Sequence, residues 1–453
     1  MSTYDLVVIG AGPAGEAAAN AGRRKGASVA IIDRDLFGGA CPFFACVPSK
    51  SLLHSAAVHA AGGDYPWAKA SARRDWNTNR VDRDYPDDSG HVDRLRATGA
   101  VPMRGTARLD GPGRVVVTHE ETEHPLGARA VILAIGSQSL IPDLPGLDGV
   151  GIWTNREATS ARTLPASLLI LGGGPTGLEL AQVYARYGVP VTIVHSGERI
   201  HHRDHPRSSE ILARALARDG VTVRLGVRAV SAEAGAGADR AHRVRLSDGT
   251  SVEGHAVLLA IGRTFPLAGL GLESVGVDIS SGRLSPDDQL RIAEGVYVAG
   301  DPAGPEMHTH VSHYQGDLAA RIALGEDARP DYRAIPRALY TDPEIASVGL
   351  LAEEARERGI DAVEFSVNLA ETARGFTAEA EGHISVVVDR GSQTVVGAFV
   401  AGPAASELIH EAVLAVKLRT PLKVLADTIH AFPTAARAMG TLFAEAAQAL
   451  ERP

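Results

Sequence analysis

Apolar residues along the 453-residue chain gather into short continuous runs, several ending in glycine, rather than into long amphipathic repeats. Tyr4–Ile9 runs into Gly10-Ala-Gly12-Pro13-Ala14-Gly15, an alanine-rich segment follows, and a second apolar run, Ser28–Ile32, ends at Asp33. The plan then returns. Leu168–Leu171 runs into Gly172-Gly-Gly174-Pro175-Thr-Gly177, a helical segment extends through Tyr187, and Val191–Val194 ends at His195. The same distance separates Gly15 from Asp33 and Gly177 from His195. Short apolar runs bounded by glycine predict buried strands, and the segments between them predict helices. Two near-identical runs, Ala130-Val-Ile-Leu-Ala-Ile-Gly136 and Ala256-Val-Leu-Leu-Ala-Ile-Gly262, predict one further strand for each repeat. Gly295-Val-Tyr-Val-Ala-Gly300-Asp301 predicts another, with an acid just beyond its carboxyl end. From about Asp331 the glycine motifs stop, and strands such as His383–Val388 alternate with helices such as Ser406–Lys417. Residues 62–102, rich in Asp and Arg, and the alanine/glycine stretch 231–241 have no clear period; the second is expected to be an exposed loop.

A glycine turn between strand and helix lets backbone N–H groups and a helix N-terminus approach a pyrophosphate. One GxGxxG is a weak signal, but two copies, each correctly spaced from a second strand, are specific. The strand-end residue then selects the ribose, because a carboxylate there accepts hydrogen bonds from a 2′-hydroxyl and repels a 2′-phosphate. Asp33 suits the unphosphorylated adenosine ribose of FAD. His195 offers no carboxylate, and His201, His202 and Arg203 follow it, which leans the second unit towards NADPH, with NADH held by backbone contacts as the alternative. The candidate contacts are Gly10, Gly12, Pro13, Ala14, Gly15 and Asp33 for the first nucleotide, and Gly172, Gly174, Gly177 and His195 for the second. Asp301 either holds a hydroxylated cofactor chain or caps the next helix.

Composition narrows the classes. The chain is 45% hydrophobic and 22% charged, with a formal net charge of -9, and its arginines are scattered. A nucleic-acid surface is excluded by that balance, and small-molecule partners are expected. No apolar run approaches the ~18 residues of a membrane span, and nothing resembles an export signal, so no membrane partner and a cytoplasmic location are expected.

Only two cysteines are present, Cys41 and Cys46. A close pair in a reducing compartment points to redox or metal chemistry, and a structural zinc site needs about four ligands, which no second cluster supplies. No metal is expected. Residues five apart in a regular helix lie about 140° round its axis, so the sulfurs meet only if the helix begins or bends between them. Pro42 favours a helix start after Cys41, and a helix N-terminus lowers a thiol pKa. Two inert buried cysteines are the alternative.

The segment Gly38-Gly39-Ala40-Cys41-Pro42-Phe43-Phe44-Ala45-Cys46-Val47-Pro48-Ser49-Lys50, with both dinucleotide motifs, Gly300-Asp301 and Tyr340-Thr341-Asp342-Pro343-Glu344, resembles the pyridine nucleotide-disulfide oxidoreductases, the family of dihydrolipoamide dehydrogenase, glutathione reductase and mercuric reductase. The resemblance covers nearly the whole chain. It implies an α/β fold with two Rossmann-like dinucleotide-binding domains, for FAD and NAD(P), and a C-terminal α+β dimerisation domain. The expected boundaries are 1–150 and 266–330 for the FAD domain, 151–265 for the NAD(P) domain and 331–453 for the interface domain. It also implies a homodimer in which NAD(P)H reduces one face of the flavin and the disulfide waits on the other. Cys46 matches the flavin-side thiol, Cys41 the interchange thiol, and Lys50 pairs with Glu179 beside the flavin. Asp301 binds the ribityl chain, His308-Thr309-His310 runs along the ring, and Gly39, Ala40, Lys50, Gly136, Arg263 and Gly300 join the cofactor contacts.

The chain departs from the family near its C-terminus. Where relatives carry His-Pro-Thr-x-x-Glu, this chain reads His430-Ala431-Phe432-Pro433-Thr434-Ala435-Ala436-Arg437. Phenylalanine at the histidine position cannot transfer a proton, and losing a positioned general acid costs ~10²–10⁴ in rate. His430 either compensates or is an ordinary loop histidine. Pro175 replaces the tyrosine that often covers the flavin. Mercuric reductases also lack the histidine, but the chain ends Ala-Leu-Glu-Arg-Pro without their cysteine pair. Phe43, Phe44 and Phe432 are expected to form an apolar mouth near Cys41. The resulting expectation is an NADPH-favouring flavoenzyme passing electrons through Cys41 and Cys46 to or from a small, specialised disulfide or dithiol. The alternatives are a quinone or diaphorase-type reductase acting from the flavin, a mercuric reductase-like metal reductase, and a non-catalytic scaffold subunit.

Overall fold

The computed structural model describes residues 1–235 and 241–451. Ser2–Ile9 is the central strand of the first sheet, pairing in parallel with Val29–Asp33 on one side and Thr122–Leu133 on the other. Val101–Arg104 extends the sheet beyond Val29–Asp33, and Val296–Val298 returns late in the chain to pair with Thr122–Leu133, both again in parallel. Leu6, Val7, Val8 and Ile9 are all buried, as a parallel strand covered on both faces requires. A second five-stranded parallel sheet has the order 222–224, 191–194, 168–171, 256–259, 152–153. Each predicted apolar run is thus a strand, and the near-identical runs at 130 and 256 pair with the first strand of their own unit. The third sheet is antiparallel, ordered 336–339, 344–349, 394–402, 383–389, 362–368, and packs against the helices Ala405–Leu418 and Ala435–Glu451.

The first glycine turn leads into helix α1 (Pro13–Arg24), whose buried face is Ala14, Gly15, Ala18, Ala19, Ala21 and Gly22. Small residues there admit another helix at close range. That helix spans Thr309–Ala323, and a Cβ on its Gly316 would stand 2.0 Å from the Ala14 carbonyl oxygen. Its first residue, Thr309, is thereby delivered to the region of the glycine turn.

Three expectations need correction. The helix bearing the cysteines does not begin after Cys41. A short helix α2 (Ala40–Phe44) contains it, the chain breaks at Ala45 (φ -130°, ψ -97°), and helix α3 (Cys46–Ala60) starts at the second cysteine. Residues 62–102 are not irregular, because Trp67–Asn77 and Ser89–Ala97 are helices. Their charge is partly internal: Arg74, fully buried, pairs with Asp75 at 2.7 Å and donates to the carbonyls of Thr159 and Ala161, while Arg162 reaches Asp75 at 2.9 Å. In the stretch 231–241, Ser231–Glu233 ends a strand that pairs with His242–Leu246, and residues 236–240 lie outside the described residues. Among the described residues, no helix is long and apolar enough to cross a membrane.

Removing one partner of a buried ion pair leaves the other charged and desolvated, at a cost of about 3–5 kcal/mol. Arg74→Ala is expected to lose less than that in urea unfolding, about 1–3 kcal/mol, because Asp75 keeps Arg162 at 2.9 Å and the loss falls on the Thr159 and Ala161 carbonyls.

Candidate active site

The break at Ala45 is what lets two cysteines five residues apart face each other. A continuous helix would carry them to different sides. The Phe44 carbonyl, left without a helical partner at the break, accepts from Asn155 Nδ2 at 2.8 Å and Thr159 Oγ1 at 3.1 Å. Both belong to helix α4 (Asn155–Ser160), which opens with a Thr154/Glu157 capping box. Both cysteines are free thiols. Thr309 Oγ1 lies 3.2 Å from Cys41 Sγ and 3.3 Å from Cys46 Sγ.

The two thiols differ sharply in acidity. A hydrogen bond from Cys41, opposed by burial and aided by Thr309 and the Lys50 charge, lowers the Cys46 pKa to about 6. Its place at the start of α3 works in the same direction. The same pairing with Cys46, together with burial, pushes the Cys41 thiol far up. The pairing therefore favours the proton on Cys41 and the negative charge on Cys46.

Lys50, one turn along α3, places Nζ 2.8 and 3.0 Å from the Glu179 carboxylate oxygens. Glu179 is 5% exposed, on helix α5 (Pro175–Arg186), and also accepts from the Tyr340 backbone N–H at 3.0 Å. The Tyr340 ring lies beneath Lys50 Nζ at 4.6 Å.

One cleft of about 2120 Å³ is lined by both cysteines, both glycine turns, Asp33, His195, Gly136, Arg263, Asp301, His308 and Thr309. Gly15 and Gly177 are not on its wall. Each instead admits the helix to the turn, a Cβ at Gly15 lying 1.9 Å from the Gly10 oxygen and one at Gly177 lying 2.4 Å from the Gly172 oxygen. Asp33 ties the first turn by accepting from Ala11 N–H at 2.7 Å, and burial raises its pKa despite that bond and one from Asp35 N–H. His195 repeats the arrangement in the second unit, its Nδ1 accepting from Gly173 N–H at 3.2 Å. Burial lowers the His195 pKa, so an acceptor nitrogen is kept in place of a carboxylate. Asp301 accepts from Ser137 Oγ, and Arg263 donates to the Ser137 carbonyl at 2.8 Å. His308 pairs with Glu306 at 3.0 Å; Glu306, although burial opposes it, falls to about 2 through His308 and Arg337. His310 lies under His308 and bonds the Pro336 carbonyl at 2.9 Å.

Within one chain Phe43 and Phe44 do not form the expected apolar mouth. Phe43 is 2% exposed and packs with Leu36 and Phe44 in a small core, and the Phe44 ring is covered by the Arg156 guanidinium at 4.3 Å. Phe432 is 74% exposed on the C-terminal segment. His430 is not a free loop residue: Nε2 lies 2.7 Å from Glu411 and Nδ1 3.0 Å from the Thr428 carbonyl, with Gly440 making room for the ring. Asn155, Thr159 and Tyr340 carry no sequence signal connecting them to the cysteines. Thr309 was expected beside the ring, and its contact with both sulfurs was not.

A dinucleotide cleft with a thiol pair on its wall defines a nucleotide-linked thiol–disulfide redox protein. The chain belongs to the pyridine nucleotide-disulphide oxidoreductase family, whose description matches residues 4–316, with the dimerisation domain of that family matching residues 335–443. It is 35% identical to a dihydrolipoyl dehydrogenase of Thermus scotoductus over 100% of this chain and 98% of that one, and 32% identical to a dihydrolipoyl dehydrogenase of Halobacterium salinarum over 96% and 94%. Among solved structures it is similar to LpdA of Mycobacterium tuberculosis, with a TM-score of 0.87 at 28% identity over 98% and 99% of the two chains. The HOCl-induced flavoprotein disulfide reductase RclA of Escherichia coli shares the fold, with a TM-score of 0.88 at 24% identity over 98% and 99%. The family depends on FAD and takes electrons from a pyridine nucleotide, and its dimerisation domain supports a homodimer. The residues present fit FAD: Gly12 has only Gly39 Cα near its open side, at 3.8 Å, and the desolvated Asp33 carboxylate faces a cleft where ribose hydroxyls would solvate it.

A Cys46 pKa near 6 means the thiolate is present above that pH and is lost as pH falls through it. Lys50→Met removes the adjacent cation and is expected to raise the midpoint by about one unit or more. The check is the pH dependence of iodoacetamide alkylation at Cys46 in the reduced protein, mapped by mass spectrometry.

Proposed function

We propose that the protein is an NADPH-dependent flavoenzyme that reduces a small, specialised disulfide, or oxidises the corresponding dithiol, through Cys41 and Cys46. The observation that carries this reading is the asymmetric thiol pair, one sulfur acidified beside Lys50, on a cleft shared by both glycine turns. Bound FAD supplies the two-electron link between nicotinamide and sulfur. Residues 1–150 and 266–330 hold it: Gly10, Gly12 and the start of α1 take the pyrophosphate, Asp33 the adenosine ribose, and Asp301 with Ser137 and Arg263 the polyol chain. Residues 151–265 hold the pyridine nucleotide, and 331–453 form the subunit interface. Leu414, Leu418, Ile429 and Phe432 are exposed apolar side chains on that last part, which suits burial by a second copy.

Cys46 is the flavin-side thiol, favoured as thiolate by its pairing with Cys41 and by Lys50, whose side chain is held in place by Glu179. Cys41 is the interchange thiol. NADPH preference rests on the lack of a carboxylate at the end of Val191–Val194 and on Arg203 and Arg228, exposed cations on the same cleft with no ion-pair partner among the described residues. A 2′-phosphate finds attraction there and no repulsion. The substrate is specialised because neither Phe432 nor Arg437 does the proton work of a His–Glu dyad, and His430 has both ring nitrogens committed.

Anaerobic titration with NADPH and with NADH, followed by visible spectroscopy, tests the reading. A long-wavelength thiolate–flavin band is expected at two-electron reduction. Cys41→Ser should abolish disulfide turnover and leave flavin reduction by NADPH intact, and turnover surviving in that variant points to a reductase acting from the flavin. Arg203→Ala is expected to raise KM for NADPH about tenfold while KM for NADH stays put, a loss on the scale of one charge-assisted hydrogen bond.

A further inference from the structure

The surroundings of the two sulfurs are unequal. Cys46 has Lys50 and Glu179 behind it, with the Tyr340 ring alongside. Cys41 has neither cation nor histidine among the groups that govern its acidity, which are Cys46 and Thr309. Yet thiol–disulfide exchange needs negative charge on Cys41 at the moment of attack and on Cys46 at the moment of resolution. Thr309 is the hydroxyl within reach of both sulfurs, 3.2 Å from Cys41 and 3.3 Å from Cys46, with a geometry that allows its O–H to be given to either. Turning that O–H about its own C–O bond moves the donor from one sulfur to the other without displacing a heavy atom.

We propose that Thr309 is a catalytic residue whose hydroxyl follows the charge, donating to the Cys46 thiolate at rest and to the Cys41 thiolate during exchange. The inference rests on the disulfide-exchange reading above and supplies, within one subunit, the thiolate support that Phe432 cannot give. Exchange starts from the reduced pair with Cys41 as thiol and Cys46 as thiolate. The Cys41 proton passes along the direct Cys41–Cys46 hydrogen bond to Cys46, and the Thr309 hydroxyl turns to the new Cys41 thiolate. Cys41 attacks the substrate disulfide RSSR, forming Cys41–S–SR and releasing RS⁻. Cys46, now a thiol, gives its proton to RS⁻, and the hydroxyl turns back to the Cys46 thiolate. Cys46 attacks the Cys41 sulfur, closing the Cys41–Cys46 disulfide and releasing a second RS⁻, which takes a proton from solvent. Two electrons leave the pair and two thiols are formed.

The test uses the reduced holoenzyme mixed anaerobically with 5,5′-dithiobis(2-nitrobenzoate), with release of the aromatic thiolate followed by stopped flow. Thr309→Val keeps the shape and removes the donor, so exchange is expected to slow about tenfold or more, the scale of one hydrogen bond to a charged group. In the same variant the Cys46 alkylation midpoint should move up and the melting temperature should hold, with each exchange rate read per bound flavin. Thr309→Ser restores the hydroxyl and should recover exchange to within about threefold. Wild-type exchange in Thr309→Val, or Thr309→Ser as slow as Thr309→Val, overturns the role of the hydroxyl. Unchanged exchange in Cys41→Ser would instead reject the disulfide reading on which the inference stands.

Discussion

One buried carboxylate joins the three parts of this chain. Glu179 projects from the helix of the second glycine motif, receives Lys50 from the helix that begins at Cys46, and accepts the backbone N–H of Tyr340 where the C-terminal sheet begins. A charge so enclosed is tolerated only if its partners are held in place, since either one lost leaves the other desolvated. The requirement works outward. Gln182, one turn further along the same helix, exchanges hydrogen bonds with both the carbonyl and the N–H of Asp342, and Arg186 reaches the Asp342 side chain at 2.8 Å. Position of the redox helix, the nucleotide unit and the third sheet is thus set along a single helix face.

The electrostatic consequence reaches the sulfur. Lys50 is oriented by Glu179, and its field falls on Cys46, one turn back at the start of the same helix. Cys41, on the far side of the Ala45 break, is governed instead by Cys46, burial and Thr309. The difference between the two sulfurs follows first from their pairing with each other, and then from the side of the break each occupies, where Thr309 and Lys50 favour charge on Cys46. Asn155 and Thr159 hold the break open at the Phe44 carbonyl, so the segment that opens the second nucleotide unit fixes the carboxyl end of the short helix.

Much of this architecture is legible in the chain because its constraints are local. A glycine that must admit a backbone oxygen, as at Gly10 or Gly172, has no substitute, and its spacing to the next strand follows from helix length. The doubled motif therefore locates the strands, the turns and the strand-end residues Asp33 and His195. What escaped is what depends on distant contacts. Residues 62–102 look like solvated charge until Arg74 and Asp75 are seen to be buried against the carbonyls of 159 and 161. Pro42 suggests a helix start, yet the helix runs on to Phe44 and breaks where side chains from residues 155 and 159 receive its end. Phe43 and Phe44 resemble a pocket by composition, but they anchor the short helix to Leu36 and the Arg156 side chain.

His430 shows how far position alone can mislead. It lies two residues from the place where relatives carry an acid–base histidine, and it has a glutamate partner, so by composition it is a relocated dyad. Its geometry is that of a structural residue. Glu411 and the Thr428 carbonyl engage both ring nitrogens, and a side chain at Gly440 would strike the ring. A proton-transfer group needs one nitrogen free to meet the reacting atom. Within one chain, the groups around the thiol pair come from its own side of the cleft. Of those, Lys50 serves Cys46 alone, and the Thr309 hydroxyl is within reach of both sulfurs. The close packing of Ala14 against Gly316 is what places Thr309 there, and the proposed role of its hydroxyl depends on that packing.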